Sequence, residues 1–202
     1  MLQTGRDCPH AAPTVLELDE RRGTFGMALL ITAESMLFVV LFAAYYYLGP
    51  QTDRWAIEEP PRLHYVIPML VILVVSSLVI YWGDEKVKNE AFGAGKLALI
   101  VTILLGCAFL ALSYFDYTEH LRTLLPQSDS YGSIFYTIVS LHVAHLTAGL
   151  LMLLWTLFQP RWGPAQFTPH KPYHNAAMYW HFVDTVWVFV VAILYVYPNI
   201  VH

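Results

Sequence analysis

The chain has 202 residues, of which 57% are apolar, 15% are aromatic and only 13% are charged. This composition excludes a chain of ordinary soluble type and indicates an integral membrane protein. The net charge of −4 gives no reason to expect a nucleic-acid partner.

Five apolar stretches follow one another, each long enough to cross a hydrocarbon core of about 30 Å at about 1.5 Å of rise per residue. They cover roughly residues 23–48, 63–83, 95–117, 131–158 and 173–197. Short polar segments with glycine or proline separate them, and none could hold a soluble domain. The sequence therefore predicts an all-α bundle of five transmembrane helices in one membrane domain, residues 23–202, after a cytoplasmic tail, residues 1–22.

Positive charges are divided unequally between the two ends of these helices. One side, formed by the N-terminal tail and the second and fourth loops, holds Arg6, Arg21, Arg22, Lys86, Lys88, Lys96, Arg161 and Lys171. The other side holds only Arg54, Arg62 and Arg122. Because cytoplasmic loops are enriched in Lys and Arg, we expect a cytoplasmic N-terminus and a C-terminus outside, in the periplasm.

Five ionisable residues lie far from the ends of their apolar stretches, where a charge is costly. They are Glu34, His142, His145, His181 and Asp184. Helical rise brings Glu34, Asp184, His142 and His145 to the same middle zone of the membrane. Three explanations are open: polar contacts that hold the helices together, which is the favoured one; a metal or haem site built from these five residues; and a proton relay through the two carboxyl groups.

Pairing follows from the cost of burying charge. We expect Glu34 to be protonated or hydrogen-bonded to one of the histidines. His181 and Asp184 are three residues apart and share a helical face, so each is the expected partner of the other. Small residues on the helix faces, among them Gly93, Gly106 and Gly149, predict close helix packing.

A second polar group, formed by Asp116, Glu119 and His120, lies at the outer end of the third stretch. Glu119 and His120 could bind a ligand, but exposed polarity at a helix end is the favoured explanation. Cys8 and Cys107 lack the spacing of a metal site and are expected to be unpaired thiols.

Three runs carry a family resemblance: Ala33-Glu34-Ser35-Met36-Leu37-Phe38 in the first helix, Tyr131-Gly132-Ser133 with Leu141-His142-Val143-Ala144-His145 in the fourth, and Tyr179-Trp180-His181-Phe182-Val183-Asp184 in the fifth. They resemble three parts of subunit III of the haem-copper terminal oxidases, the cytochrome c oxidase and quinol oxidase type. In that order, these parts are the family's Ser-Glu-x-x-x-Phe motif, its Tyr-Gly-Ser opening with a histidine pair, and its last helix. The resemblance covers nearly all of residues 23–197.

Larger members have seven helices, and this chain resembles the short bacterial form that begins at their third. In those larger members the two leading helices form a cleft that holds phospholipid, so a structural phospholipid here would need another subunit to supply the missing wall.

The resemblance implies a non-redox subunit of a proton-translocating terminal oxidase, crossing the bacterial cytoplasmic (inner) membrane several times. It implies no catalytic residue and no cofactor or metal bound by this chain. Haem and copper would belong to its partners, the catalytic haem-copper subunit I and the copper-bearing or equivalent subunit II, alongside other oxidase subunits and membrane lipids. Its roles would be to flank and stabilise subunit I and to assist proton uptake and lipid or oxygen access. Polar residues expected near the cytoplasmic side could collect protons, and solvated loop polarity explains them equally well: His10, Asp84, Glu85, Glu90, His170 and His174.

Three other functions are open. An accessory subunit of a nitric oxide reductase would share the architecture. A stand-alone membrane metalloenzyme would use His142, His145, His181, Asp184 and Glu34 as its metal shell. A proton-conducting transporter should have inverted-repeat symmetry, which the sequence does not display.

Overall fold

A computed structural model describes residues 15–48, 63–123, 130–159 and 170–197. Within these ranges the chain is helical except for a short turn and one terminal residue. The helices are α1 (Val15–Leu48), α2 (Leu63–Lys88), α3 (Phe92–Thr123), α4 (Ser130–Phe158) and α5 (His170–Val190), and α5 continues as a π-helix over Val191–Val196. Among the described residues, five helices are long and apolar enough to cross a membrane, which confirms the predicted all-α membrane architecture.

The helices are longer than the apolar stretches that predict them. The first begins at Val15, inside the segment expected to be a tail, and α2 runs past Gly83 to Lys88. Asp84 is therefore a helical residue, and the expectation that it lies in a loop is wrong. A helix is held by its backbone hydrogen bonds. It can therefore extend beyond the membrane surface, where the side chains change from apolar to polar. The turn between α2 and α3 spans only residues 89–91, with Glu90 in the left-handed region at φ 61°.

Four helices form a closed ring in which α2 packs on α3, α3 on α4, α4 on α5 and α5 on α2. The first helix lies outside this ring, against α4 and α5. Only 6% of its central apolar residues are buried within the bundle, against 56% of those of α5. The core of the molecule is thus built around α5.

Trp180 is the side chain around which the ring packs. It is fully buried, and its Nε1–H donates a hydrogen bond to Ser76 Oγ on α2 at 3.0 Å. Its ring lies against two glycines: a Cβ would come within 2.8 Å of the ring at Gly106 on α3 and within 3.2 Å at Gly149 on α4. The expected close packing at these two glycines is found. Gly93, in contrast, has open space around it.

Candidate functional site

Glu34 and His145 join α1 to α4 through a hydrogen bond of 2.9 Å between Glu34 Oε2 and His145 Nε2. The other ring nitrogen, Nδ1, lies 2.7 Å from the carbonyl oxygen of Leu141. Because a carbonyl can only accept, Nδ1 carries a hydrogen. The pair is then either a carboxylic acid that donates to a neutral imidazole or a carboxylate that accepts from an imidazolium. In both forms the pair is neutral overall, as the interior of a membrane requires.

His142 makes no such pair. Its ring is fully buried, stacks on Trp187 with 4.8 Å between ring centroids, and meets the edge of Phe109 at 6.0 Å. Neither ring nitrogen has a hydrogen-bond partner among the described residues. His142 and His145 therefore face different neighbours.

His181 contacts Ser77 rather than Asp184. Ser77 Oγ on α2 lies 2.6 Å from His181 Nδ1, so this contact joins α2 to α5. The Asp184 carboxyl is buried, and neither of its oxygens has a hydrogen bond of acceptable geometry to any described residue. The expected direct pair of His181 and Asp184 is wrong, because His181 contacts a serine of another helix and Asp184 is hydrogen-bonded to no described residue.

Asp116 anchors the C-terminal part of α3. Its side chain is buried, and its Oδ2 accepts a hydrogen bond of 3.2 Å from the Tyr195 hydroxyl. Tyr195 lies in the π-helix at the end of α5, which is wider than an α-helix and is often found near functional sites. Asp116 thus fastens α3 to the end of α5. The side chains of Glu119 and His120 lie outside the described residues.

Asp84 forms the polar contact at the opposite end of α5. It is buried, and its Oδ2 lies 2.8 Å from Lys88 Nζ and 3.1 Å from His174 Nδ1. Solvated loop polarity therefore does not explain Asp84, which joins α2 to the start of α5. Glu85 and Glu90 are exposed, His10 lies outside the described residues, and nothing is described of the His170 side chain.

The five midplane residues are spread over separate contacts. Within the described part of the chain, no three His, Cys, Asp or Glu side chains converge in a way that could hold a metal ion. Glu34 and His145 instead join α1 to α4, and His181 joins α5 to α2 through Ser77. Cys107 is unpaired and exposed, and Cys8 lies outside the described residues.

Three residues form interhelical hydrogen bonds that the sequence does not predict: Ser76, Ser77 and Tyr195. Two adjacent serines inside the apolar run Val74-Val75-Ser76-Ser77-Leu78 are a signal that could have indicated an interhelical contact. Tyr195 carries no comparable signal, because tyrosines near helix ends are common at membrane surfaces.

The amino-acid sequence was compared with known proteins. Residues 19–199 match the family described as cytochrome c oxidase subunit III. Cytochrome c oxidase subunit 3 of Synechocystis sp. is 33% identical over 174 residues, which cover 85% of this chain and 74% of that protein. The Bacillus subtilis protein of the same name is 31% identical over 195 residues, with 92% and 91% coverage, and that of Heterololigo bleekeri is 30% identical, with 84% and 68% coverage. The chain belongs to the cytochrome c oxidase subunit III family.

Proposed function

We propose that this chain is a non-redox, non-catalytic subunit of a respiratory haem-copper oxygen reductase, and that it flanks and stabilises the catalytic subunit. The observation that carries the proposal is the use of the midplane polar groups as contacts between helices. Glu34 is hydrogen-bonded to His145, and Ser77 is hydrogen-bonded to His181. Side chains that are hydrogen-bonded between helices hold a bundle together, and they do not form a common set of metal ligands.

The partners follow from membership in an oxidase subunit family. Haem and copper belong, in this proposal, to the catalytic haem-copper subunit I and to a copper-bearing or equivalent subunit II. This chain binds none of these cofactors itself. The relatives named above are oxidase subunits, which favours an oxygen reductase over a nitric oxide reductase.

The proposed location is the bacterial cytoplasmic membrane, with the N-terminus in the cytoplasm. Support comes from four lysines at one end of the bundle: Lys86 and Lys88 end α2, Lys96 lies near the start of α3, and Lys171 lies at the start of α5. The contact between Asp84 and His174 holds the end of α2 and the start of α5 together. A cluster of lysines at one membrane face is typical of the cytoplasmic side.

Assistance to proton uptake and access for lipid or oxygen are secondary roles in this proposal. Proton uptake is supported by the polar contact of Asp84, Lys88 and His174 at the end assigned to the cytoplasm. Lipid or oxygen access is supported only by the large apolar side chains on the outward faces of the helices.

The proposed function is tested by purifying the tagged chain from its native membrane in mild detergent. The co-purifying proteins are identified by mass spectrometry, haem by its absorption spectrum, and metals by elemental analysis. We expect haem and copper to arrive with a large catalytic subunit and to leave when that subunit is stripped away. Iron or copper that stays with this chain alone would overturn the proposal in favour of a metalloenzyme.

A further inference from the structure

We propose that the π-helical turn at Val191–Val196 is a register device. It takes up one extra residue, which lets Tyr195 reach Asp116 on α3 while the preceding part of α5 keeps its own contacts. The device is built from this chain alone, so it does not depend on the proposed function or on the partners of the chain. It gives a reason for a rare backbone form that often marks functionally important positions in helices.

The backbone of this turn holds one residue more than an α-helical turn would. In an α-helix each N–H bonds the carbonyl group four residues back, whereas the Tyr197 N–H bonds the carbonyl of Ala192, five residues back. One extra residue changes the direction of the side chains that follow it by about 100°, the angle between neighbouring residues of an α-helix. Tyr195 therefore lies close to the direction that Leu194 would have in an uninterrupted α-helix.

This direction continues the core-facing line of α5. Trp180 and Trp187 are both fully buried, and they are seven residues apart, a spacing that returns to the same face of an α-helix. The next position at this spacing is Leu194, which is also buried. Tyr195 comes one residue later and is the residue that bonds Asp116. The π-helical turn thus brings the Tyr195 ring into line with the two tryptophans.

Contacts before the turn fix the rotation of α5 independently. His174 and His181 both contact side chains of α2, through hydrogen bonds of 3.1 Å and 2.6 Å. If α5 kept these contacts and continued as an α-helix, the Tyr195 ring would point about 100° away from its observed direction. The buried Asp116 carboxyl would then lose this hydrogen bond, which is costly in an apolar interior.

Two aromatic contacts depend on the same change of direction. The Tyr195 ring meets Phe135 of α4, and the Tyr197 ring meets Tyr46 of α1, both with 5.7 Å between ring centroids. Together with the hydrogen bond to Asp116, these contacts connect the end of α5 to three other helices. An unusual backbone form persists where the surrounding contacts require it.

Deletion of Ala192 from the chain in its intact complex tests the device. Ala192 is a small, exposed residue within the turn, so its deletion removes the extra residue with little loss of packing. Tyr195 then becomes the seventh residue after Trp187. We expect cryo-electron microscopy of this variant to show an uninterrupted α-helix in which Tyr195 still bonds Asp116, and we expect thermal unfolding at nearly the same temperature as the unsubstituted complex.

Deletion of Ala111 is the matched control. This alanine is also exposed and precedes Asp116 by five residues, but it lies in the regular α-helix α3. Its deletion turns one part of α3 against the other by about 100°. We therefore expect the control to lose the hydrogen bond to Tyr195 and to unfold at a clearly lower temperature or fail to assemble.

Tyr195→Phe reports on the hydrogen bond in both backgrounds. We expect it to lower the unfolding temperature by the same amount in the unsubstituted chain and in the chain without Ala192. The proposal is overturned if the deletion of Ala192 is as harmful as that of Ala111, including a failure to assemble. It is also overturned if the π-helical turn persists after the deletion, or if Tyr195→Phe has no effect in the chain without Ala192.

Discussion

Two pairs of polar residues in the middle of this bundle join different helices. Glu34 meets His145 across α1 and α4, and Ser77 meets His181 across α2 and α5. His142 differs, because its ring is held by aromatic stacking on Trp187. A hydrogen-bonded pair avoids the cost of an unsatisfied polar group in an apolar interior, and it also fixes the height of one helix against another.

Replacing Glu34 should separate its hydrogen-bonding role from its charge. Glu34→Gln keeps a group that can donate to or accept from His145 Nε2, so we expect little loss of stability. Glu34→Leu leaves the imidazole without its partner and should lower the free energy of unfolding by about 1–2 kcal/mol. Denaturant unfolding of the purified complex measures both variants, and the haem absorption spectrum should be unchanged in both. Equal stability of the two variants would contradict the pair, and loss of haem from an intact complex would contradict the non-redox role.

The contact of Ser77 with His181 can be measured by a double-mutant cycle. Ser77→Ala, His181→Leu and the double variant should give a coupling energy of about 0.5–1.5 kcal/mol, in the range of interhelical hydrogen bonds in membranes. The readout is the free energy of unfolding of each variant in detergent. Thr147 is the control partner, because its exposed hydroxyl bonds the Val143 carbonyl of its own helix. We expect Thr147→Val and His181→Leu to be additive, whereas additivity of Ser77→Ala with His181→Leu would contradict the contact.

At the scale of helices, apolarity predicts the number and position of the spans but not their ends or their facing sides. The turn at residues 89–91 and the start of α1 at Val15 lie beyond the apolar stretches, because backbone hydrogen bonding continues outside the hydrocarbon core. Position in a stretch gives the depth of a residue but not the neighbour it faces. Hence the depth of His181 could be predicted, while the serine that it contacts on another helix could not. The π-helix also has no sequence signal that we can identify.

Packing of the Trp180 ring of α5 against α3 depends on the absence of a side chain at Gly106. A Cβ there would come within 2.8 Å of the Trp180 ring and 2.7 Å of a Leu150 methyl group. We expect Gly106→Ala to lower the free energy of unfolding by about 1–3 kcal/mol, as overpacking of a core does. Gly93→Ala is the control in the same helix, because nothing lies within 4 Å of its position. Unfolding in detergent compares the two, and a Gly106→Ala chain as stable as the Gly93→Ala chain would contradict the packing.

At the scale of the whole molecule, a ring of four helices carries the core while α1 lies on its outside. Polar contacts fasten the ring at three depths: Asp84 with His174 at one end, Ser77 with His181 in the middle, and Asp116 with Tyr195 at the other end. All three involve α5 or its π-helical continuation. The helix with the most nearly unbroken family motif is therefore the one on which the bundle is assembled.

The direction in which this ring crosses the membrane can be measured by cysteine labelling. Cys8 and Cys107 are first replaced by serine, and a single cysteine is then introduced at His64 or at Asn89, exposed positions at opposite ends of α2. Because the lysine-rich end should be cytoplasmic, we expect a membrane-impermeant maleimide added to intact cells to label His64→Cys and not Asn89→Cys. After permeabilisation both should be labelled, while the chain without cysteines stays unlabelled. The reverse pattern would place Asp84, Lys88 and His174 on the outer side, and a role for these residues in proton uptake from the cytoplasm would then be excluded.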